Sequence, residues 1–230
     1  MSAERADVDV VRIPVVAEAT REGRPPAITR ADFARIADAV GTAAERDAAA
    51  VVLHGAAGWF CAGADLADVR AQGEDLDGYV AAFDRCLDVL GTVPVPVVVA
   101  VDGPAIGAGF EIALCADVVV ASAQAWFCFP EAGFGLPALS GTARLAAAVG
   151  TVRARNILLT CRRVPAAEAL ALGIVTDLAA DGDVEAVATS LAADLATPSA
   201  DAVAAIKAMV ATAPLPRERT RPWVERALGS

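Results

Sequence analysis

What this sequence of 230 residues lacks excludes several kinds of protein. Basic residues are outnumbered, with 19 Lys and Arg against 29 Asp and Glu, and the net charge of −10 argues against nucleic acid or an anionic membrane surface as a partner. The five cysteines are scattered and form no CxxC or CxxH pair. The sequence therefore predicts neither a zinc site nor a disulfide framework, and we expect free thiols and no bound metal.

Long uninterrupted apolar runs are also missing. The apolar stretches are broken by Glu111, by Asp117 and by glycine and proline, which predicts a buried core rather than a membrane span. The N-terminal stretch MSAERADVDVVRI is charged and lacks the apolar segment of a secretion signal. We therefore expect a cytoplasmic protein, and an apolar content of 56% allows a sizeable core.

Strand and helix patterns alternate in the first part of the chain, and helical patterns dominate the remainder. We predict an edge strand at 8–18, because Pro14 cannot donate to a ladder, and a helix at 30–42 opened by a capping box of Thr29 and Asp32. Further strands are predicted at 49–55, 93–103, 117–123, 125–129 and 173–179. Further helices are predicted at 65–71, 76–90, 107–116, 140–149, 151–160, 165–172, 183–196, 199–212 and 221–228. The fold class predicted is α/β, with a parallel sheet and a helical C-terminal region.

Two glycine-rich loops follow two of the predicted buried strands, and each leads into a helix. Loop one is FCAGAD (60–65) and loop two is GPAIGAG (103–109). The first N–H groups of a helix have no partner within it, so one N–H from each loop would form a two-donor oxyanion hole. Plain strand-to-helix turns remain an equally good interpretation of either loop alone. A dinucleotide site is not indicated, because Ile112 stands where the third glycine is needed.

Two glutamates are candidates for acid or base catalysis, one directly after loop two and one after an apolar stretch. Glu111 falls in the first turn of the helix that loop two opens, and Glu131 follows AWFCFP (125–130). Burial raises the pKa of a carboxyl group and suits it to acid or base catalysis near neutral pH. Alternatively, Glu111 is a favourable acidic residue at a helix start and Glu131 an ordinary loop residue.

Three motifs taken together have a more specific meaning. The stretches FCAGADL, AVDGPAIGAGFEIALCAD and FPEAGFG resemble the enoyl-CoA hydratase/isomerase (crotonase) superfamily, and the resemblance extends over residues 24–215. It implies a crotonase fold of stacked ββα units. It also implies that the backbone N–H groups of Ala64 and Ala108 form the oxyanion hole and that Glu111 and Glu131 are the catalytic pair.

The resemblance further implies a 2-enoyl-CoA hydratase acting on an acyl-CoA substrate without a separate cofactor. Contacts to the substrate and its CoA part are expected at Ala62, Gly63, Asp65, Leu66 and Gly107. Arg21 and Arg24 either meet the CoA phosphates or lie on a solvated loop. An isomerase or pathway-specific dehydratase of the same family, or an acyl-CoA-binding member without activity, are the alternatives.

The sequence departs from the family pattern in three places, the first being Pro26, where an asparagine usually follows the Arg-Pro of Arg24 and Pro25. Leu139 and Ser140 replace small residues after the second glutamate, and the usual last helix with its acidic-Glu-Gly motif is not found before the ending RPWVERALGS. We expect an α/β core at 1–195, a shortened C-terminal helical region at 196–230 and a homo-oligomer, either a trimer or a dimer of trimers.

Simple structural roles are expected for several other polar residues. We interpret His54, the only histidine, as a packed core residue, and Asp117 as a hydrogen-bonding group at a strand start. Asp65 is expected to cap the helix after loop one. Cys61 is expected to pack as a small apolar residue, because no base near it in the sequence would activate the thiol.

Overall fold

The computed structural model describes residues 8–17, 25–73, 75–180 and 182–210. The elements of the first half are β1 Val10–Pro14, α1 Arg30–Glu45, β2 Ala50–His54, α2 Leu66–Ala71, α3 Leu76–Thr92, β3 Val97–Val101, β4 Pro104–Ile106 and α4 Ala108–Ala113. Those of the second half are β5 Val118–Ser122, β6 Trp126–Cys128, a 3₁₀ helix Glu131–Phe134, α5 Leu139–Val149, α6 Thr151–Thr160, β7 Val164–Pro165, α7 Ala166–Ala171, β8 Asp177–Ala179, α8 Val184–Leu195 and α9 Ala200–Val210.

A parallel sheet of five strands, in the order β1-β2-β3-β5-β8, is the centre of the fold. Its inner strands are nearly continuous runs of valine and alanine because both faces of the sheet are covered. On one face Val51, Leu53 and Val99 pack with residues of α1, α3 and α4. On the other face Val52 and Val98 pack beneath α8.

The edge strand and the first helix are confirmed. β1 pairs only with β2 within the described part of the sheet, and Pro14 is its last residue, where a missing N–H costs least. The capping box at α1 is also confirmed, because the N–H of Asp32 donates to the Thr29 hydroxyl and the N–H of Thr29 donates to the Asp32 carboxylate. Burial of Phe33, with its neighbours on the same face, then fixes α1 against α3.

Three stretches differ from the sequence prediction. The strand expected at 93–103 is limited to β3, since the chain leaves the sheet at Asp102 and forms β4, which pairs with β6 in a second, three-stranded sheet completed by β7. Only 177–179 of the strand expected at 173–179 is extended. Glu131 begins a 3₁₀ helix rather than lying in an irregular loop.

The C-terminal region is held to the sheet by a buried lysine. The Lys207 ammonium in α9 donates to the Val95 carbonyl at 3.0 Å and to the Asp117 carboxylate, which also accepts the N–H of Val97 at 2.7 Å. Asp117 thus has the structural role expected of it. The domain boundary at 195/196 stays a prediction, and the helix expected at 221–228 lies outside the described residues.

Candidate active site

The two glycine-rich loops run side by side. Cys61 and Ala105 are partners in a parallel β-bridge, the Ile106 N–H donates to the Cys61 carbonyl at 2.9 Å, and the Cys61 N–H donates to the Pro104 carbonyl at 3.1 Å. β4 is thereby placed between loop one and β6, and the N–H of Gly107 donates to the Cys128 carbonyl at 2.9 Å. Backbone hydrogen bonds therefore join loop one, loop two and the strand that leads to Glu131.

Two glycines with positive φ turn the chain at the end of this paired stretch. Gly63 has a φ of 98° and Gly107 a φ of 50°, conformations that residues with a side chain rarely adopt. A Cβ atom on Gly107 would lie 2.7 Å from Oε1 of Glu131, and one on Gly63 would lie 3.2 Å from the Ile106 carbonyl oxygen. Glycine is therefore needed at both positions for conformation and for space.

The residues after these glycines carry the proposed donors. Ala105 is the bridge partner of Cys61, so Ala108 and Ala64, each three residues further on, hold equivalent positions in the two loops. Ala108 is the first residue of α4, where helical N–H groups lack internal acceptors. Within the described ranges, neither the N–H of Ala64 nor that of Ala108 has a hydrogen-bond acceptor. Such a pair of unused donors can bind an oxygen that gains negative charge.

Glu111 is buried beneath these donors, on α4. It is 4% exposed, and its Oε1 accepts the N–H of Gly141 at 2.6 Å. Gly141 lies in the first turn of α5, where free N–H groups and the helix dipole favour a negative charge. A Cβ on Gly141 would lie 2.5 Å from Cζ of Phe129 and 2.9 Å from Cγ of Glu111, so a glycine is required for this close contact.

Glu131 approaches the same place from the second sheet. Its Oε1 lies against Gly107, the residue before the Ala108 donor. Its Oε2 is buried and has no hydrogen-bond partner in the described part of the chain. A buried carboxyl oxygen without a partner is costly, which is typical of a group that interacts with a ligand.

Burial and mutual repulsion set the acidity of the two glutamates. Burial, reinforced by the charge of Glu131, raises the pKa of Glu111 to about 8, against the opposing effects of the Gly141 N–H and of Arg144. Burial likewise raises the pKa of Glu131 to about 7. The two titrations overlap near neutral pH, so a single proton there belongs to the pair. Two effects on the position of this proton oppose each other. The higher pKa of Glu111 favours the proton on Glu111, whereas the Gly141 N–H stabilises the Glu111 anion and would favour the proton on Glu131.

Most of the residues expected to contact CoA lie in loop one or directly after it. The N–H of Ala62 donates to the Pro26 carbonyl at 2.8 Å and that of Asp65 to the Ile28 carbonyl at 2.9 Å, so these two N–H groups hold the chain before α1. Asp65 caps α2, as expected, by accepting the N–H groups of Ala67 and Asp68. Leu66 is 55% exposed beside the loop. Their contact with CoA stays a prediction, and Arg21 and Arg24 lie outside the described residues.

Gly141 is a site residue that the sequence analysis missed. Its contact with Glu111 spans 30 positions in the sequence and leaves no periodic pattern. A glycine in the first turn of a helix, just after Ser140, was the available signal, because glycine there costs helix stability unless space requires it. Arg144, whose Nε donates to the Ser140 hydroxyl at 3.1 Å, is a second residue near Glu111 that the sequence did not indicate.

The surroundings of Cys61 and His54 indicate structural roles for both side chains. Burial raises the pKa of the Cys61 thiol to about 12, which keeps it neutral. His54 is partly buried at the end of β2, with Nδ1 3.0 Å from the Gly55 carbonyl oxygen.

In residues 8–17, 25–73, 75–180 and 182–210, no three His, Cys, Asp or Glu side chains are grouped to hold a metal ion. No helix in those ranges is both long enough and apolar enough to cross a bilayer.

Comparison with known proteins identifies the family. A family model described as enoyl-CoA hydratase/isomerase matches residues 27–226. The chain belongs to this family. A probable enoyl-CoA hydratase of Rhodobacter capsulatus is 37% identical over 166 residues, which cover 71% of this chain and 65% of that protein, just under two thirds of its length. The probable enoyl-CoA hydratase EchA17 of Mycobacterium tuberculosis is 35% identical over 190 residues, or 80% of this chain and 73% of the relative.

Solved structures of the family share the fold. The enoyl-CoA hydratase of Bacillus anthracis superposes with a TM-score of 0.80 at 25% identity, covering 99% of this chain and 89% of that one. An enoyl-CoA hydratase from Polaromonas gives a TM-score of 0.80 at 26% identity, covering 97% and 88%. The crotonase fold expected from the three motifs is therefore confirmed, with its α/β core and C-terminal helical region.

Proposed function

We propose that this member of the family is an enoyl-CoA hydratase that adds water across the 2,3 double bond of a 2-enoyl-CoA thioester. The observation that carries the proposal is the combination of two unused backbone donors with two glutamates of raised pKa, Glu111, which is buried, and Glu131, which is partly buried. Hydration needs both parts, because a base must activate water, an acid must protonate carbon, and the charge that develops between these steps needs stabilisation.

The backbone donors would act on the thioester carbonyl. Its oxygen would accept the N–H groups of Ala64 and Ala108, which draws electron density from the conjugated double bond and makes C3 electrophilic. The resulting enolate is a fuller negative charge than the starting carbonyl, so the donors bind it more strongly than they bind the substrate. Mutational data on comparable sites put each such donor at about 3–4 kcal/mol.

The two glutamates would divide the proton transfers. Glu111, whose anion is stabilised by the Gly141 N–H, would take a proton from water as the oxygen attacks C3. Glu131, whose Oε2 has no partner among the described residues, would carry the proton and deliver it to C2. After the addition the proton has moved from Glu131 to Glu111, and exchange through a second water restores the pair.

The proposal extends to the substrate's CoA part and to assembly. CoA would bind along Ala62 to Leu66 and beside Gly107, and the proposed reaction needs no further cofactor. A trimer or dimer of trimers in the cytoplasm is part of the same proposal. The apolar side chains of Phe134, Val152 and Leu159, 74–80% exposed in one copy, support self-association.

A direct assay tests the hydratase. Crotonyl-CoA and longer 2-enoyl-CoA thioesters should lose their conjugated absorbance in the presence of the protein. Glu111→Gln and Glu131→Gln should each lower kcat by on the order of 10²–10⁴-fold with little change in ligand affinity. Glu45→Gln, at the exposed end of α1, is the matched control and should behave as the unaltered chain. Acyl-CoA binding without turnover at any chain length would identify a binding protein instead.

A double-bond isomerase of the same family is the second candidate. It is favoured by the arrangement of Glu131, because one carboxyl beside the hole is sufficient to move a proton between C2 and C4. Glu111→Ala separates the two reactions. A hydratase would lose its activity with this variant, whereas an isomerase would retain conversion of 3-enoyl-CoA to 2-enoyl-CoA.

A further inference from the structure

The chain's only tyrosine carries a buried hydroxyl that no described residue satisfies. Tyr79 lies in the first turn of α3, is 6% exposed, and its hydroxyl oxygen has no hydrogen-bond partner in the described part of the chain. Leaving such a group unpaired costs about 1–3 kcal/mol, and phenylalanine would fill the same space without that cost. The hydroxyl therefore needs an explanation beyond packing.

The ring of Tyr79 is packed in the core. It packs edge-on against Phe33 of α1, with centroids 5.9 Å apart and planes at 89°, and Phe33 packs in the same manner against Phe83 at 5.4 Å. This aromatic cluster is part of the α1–α3 contact in the main core. The direction of the hydroxyl is therefore fixed by the core and not by a surface rotamer.

The hydroxyl lies close enough to the candidate active site to be influenced by its charges. The charges that act on it are those of Asp68, Glu111 and Asp65, together with the thiol of Cys61 in loop one. Asp68 belongs to α2 and Glu111 to α4, so the hydroxyl is near both helices. A thioester bound to the Ala64 and Ala108 donors would extend its acyl chain past Glu111, into the neighbourhood of this hydroxyl.

The neighbouring carboxylates already have partners. Asp68 accepts the Arg30 N–H at 2.7 Å on one oxygen and the Gln72 amide at 3.0 Å on the other. Asp65 accepts the first N–H groups of α2, and Glu111 accepts the Gly141 N–H. These acidic groups therefore make the surroundings of the hydroxyl negative, but none of them accepts a hydrogen bond from it.

We propose that the Tyr79 hydroxyl donates a hydrogen bond to a neutral oxygen substituent on the acyl chain of the substrate, so that the site prefers hydroxy-, alkoxy- or oxo-acyl thioesters. The inference rests on the proposed acyl-CoA site. A carboxylate substituent does not fit, because Asp65, Asp68 and Glu111 would repel it. Burial also raises the pKa of Tyr79, so the hydroxyl stays a donor throughout the neutral range.

Binding of saturated thioesters tests this without using turnover. Dissociation constants are measured by calorimetry for butanoyl-CoA, 4-hydroxybutanoyl-CoA, pentanoyl-CoA and 5-hydroxypentanoyl-CoA, with the unaltered protein and with Tyr79→Phe. We expect Tyr79→Phe to weaken one of the hydroxylated ligands about 5- to 20-fold and to leave its apolar counterpart within about threefold. Succinyl-CoA, of the same length as 4-hydroxybutanoyl-CoA but anionic, should bind more weakly than butanoyl-CoA to both proteins.

Two results would overturn the inference. The first concerns the ratio of the affinity for a hydroxylated ligand to the affinity for its apolar counterpart. If Tyr79→Phe leaves this ratio unchanged for both chain lengths, ordered water satisfies the hydroxyl. The other is tighter binding of succinyl-CoA than of the hydroxylated ligands. The protein could also fail the crotonyl-CoA assay and still show an affinity ratio that depends on Tyr79. That result would contradict the proposed reaction and leave this inference standing.

As an independent measurement, the single tyrosine can be replaced by 3-fluorotyrosine. One ¹⁹F resonance is then expected, because the sequence holds no other tyrosine. The hydroxylated ligand that depends on Tyr79 should shift this resonance more than its apolar counterpart does. Equal shifts from both ligands would contradict a direct hydrogen bond.

Discussion

Gly141 contributes to the candidate site by having no side chain. Its N–H reaches Oε1 of Glu111, and Phe129 occupies the space that a Cβ would need. Glycine lowers the stability of a helix, but at this position it lets a backbone N–H donate to a buried carboxylate. The base proposed for the reaction is held by a residue thirty positions further along the chain.

Substitution of this glycine should affect stability and the site together. Gly141→Ala places a methyl group 2.5 Å from Phe129, so we expect a loss of about 1–3 kcal/mol in the free energy of unfolding and a large loss of hydratase turnover. Gly41→Ala is the matched control, because Gly41 is helical with no atom within 4 Å of a new Cβ. It should stabilise the protein by about 0.5–1 kcal/mol, as measured by urea unfolding. Equal effects of the two substitutions would contradict the packing argument.

The glutamate pair predicts a particular pH profile for turnover. With both pKa values raised, to about 8 and about 7, the state with one shared proton is most populated near neutral pH. We expect kcat/KM to fall below this range, where both carboxyls are protonated and no base remains, and above it, where both are ionised and no acid remains. Activity that stays constant from pH 8 to 10 would indicate a single catalytic base and favour the isomerase.

Among the elements, α9 depends on one polar contact more than on apolar burial. Lys207, the only lysine in the sequence, is its buried residue, whereas Ile206, Met209 and Val210 are exposed. The ammonium joins the Asp117 carboxylate and the Val95 carbonyl beside the start of β3. An ion pair that is mostly removed from water specifies one position for the helix, because a shift would leave a charge unpaired.

Chemical labelling tests this attachment. We expect an amine-reactive ester to modify Lys207 at least ten times more slowly in the folded protein than in urea, since the nitrogen is enclosed. Lys207→Met should cost about 1–3 kcal/mol, because Asp117 loses its charged partner but keeps the Val97 N–H. Peptide mass spectrometry measures the labelling rate, and urea unfolding measures the stability. A lysine that reacts equally fast in both states would mean that α9 detaches readily.

The elements also show what the sequence alone can predict. Long periodic patterns, such as those of α1 and α3, are found within a few residues of their predicted ends, because burial of one face repeats every three or four positions. β4 was missed, since a strand of three residues has no periodicity and forms only where Cys61 and β6 meet it. The same limit explains why the glutamates were predicted from their motifs, whereas the donor to Glu111 was not.

At the scale of the whole molecule, Glu111 and Glu131 connect stability to pH. Their folded pKa values lie above the usual carboxyl value of 4.5, so between about pH 5 and pH 8 the folded state binds more protons than the unfolded state. Stability must then fall as the pH rises through this range, by up to about 1.4 kcal/mol per pH unit for each proton. Asp32 acts oppositely, since its pKa is lowered, but only in more acidic solution.

Thermal unfolding from pH 5 to pH 8 measures this effect. The midpoint temperature should decline with rising pH for the unaltered chain, and the decline should be smaller for Glu111→Gln and for Glu131→Gln, which each remove one titrating group. Glu45→Gln, at an exposed position, should leave the slope unchanged. A midpoint that rises with pH in this range would show that the glutamates are ionised in the folded protein throughout.

The β-bridge between Cys61 and Ala105 has a consequence for how the family can diversify on this fold. It places two chain segments at the usual spacing between paired strands, about 4.8 Å, and the N–H groups of Ala64 and Ala108 that we propose as donors belong to those segments. Exchange of side chains at Ala64 or Ala108 leaves the groups in place, and proline alone among the standard residues removes one. Pocket walls can therefore change from one relative to another while the two proposed backbone donors stay in place.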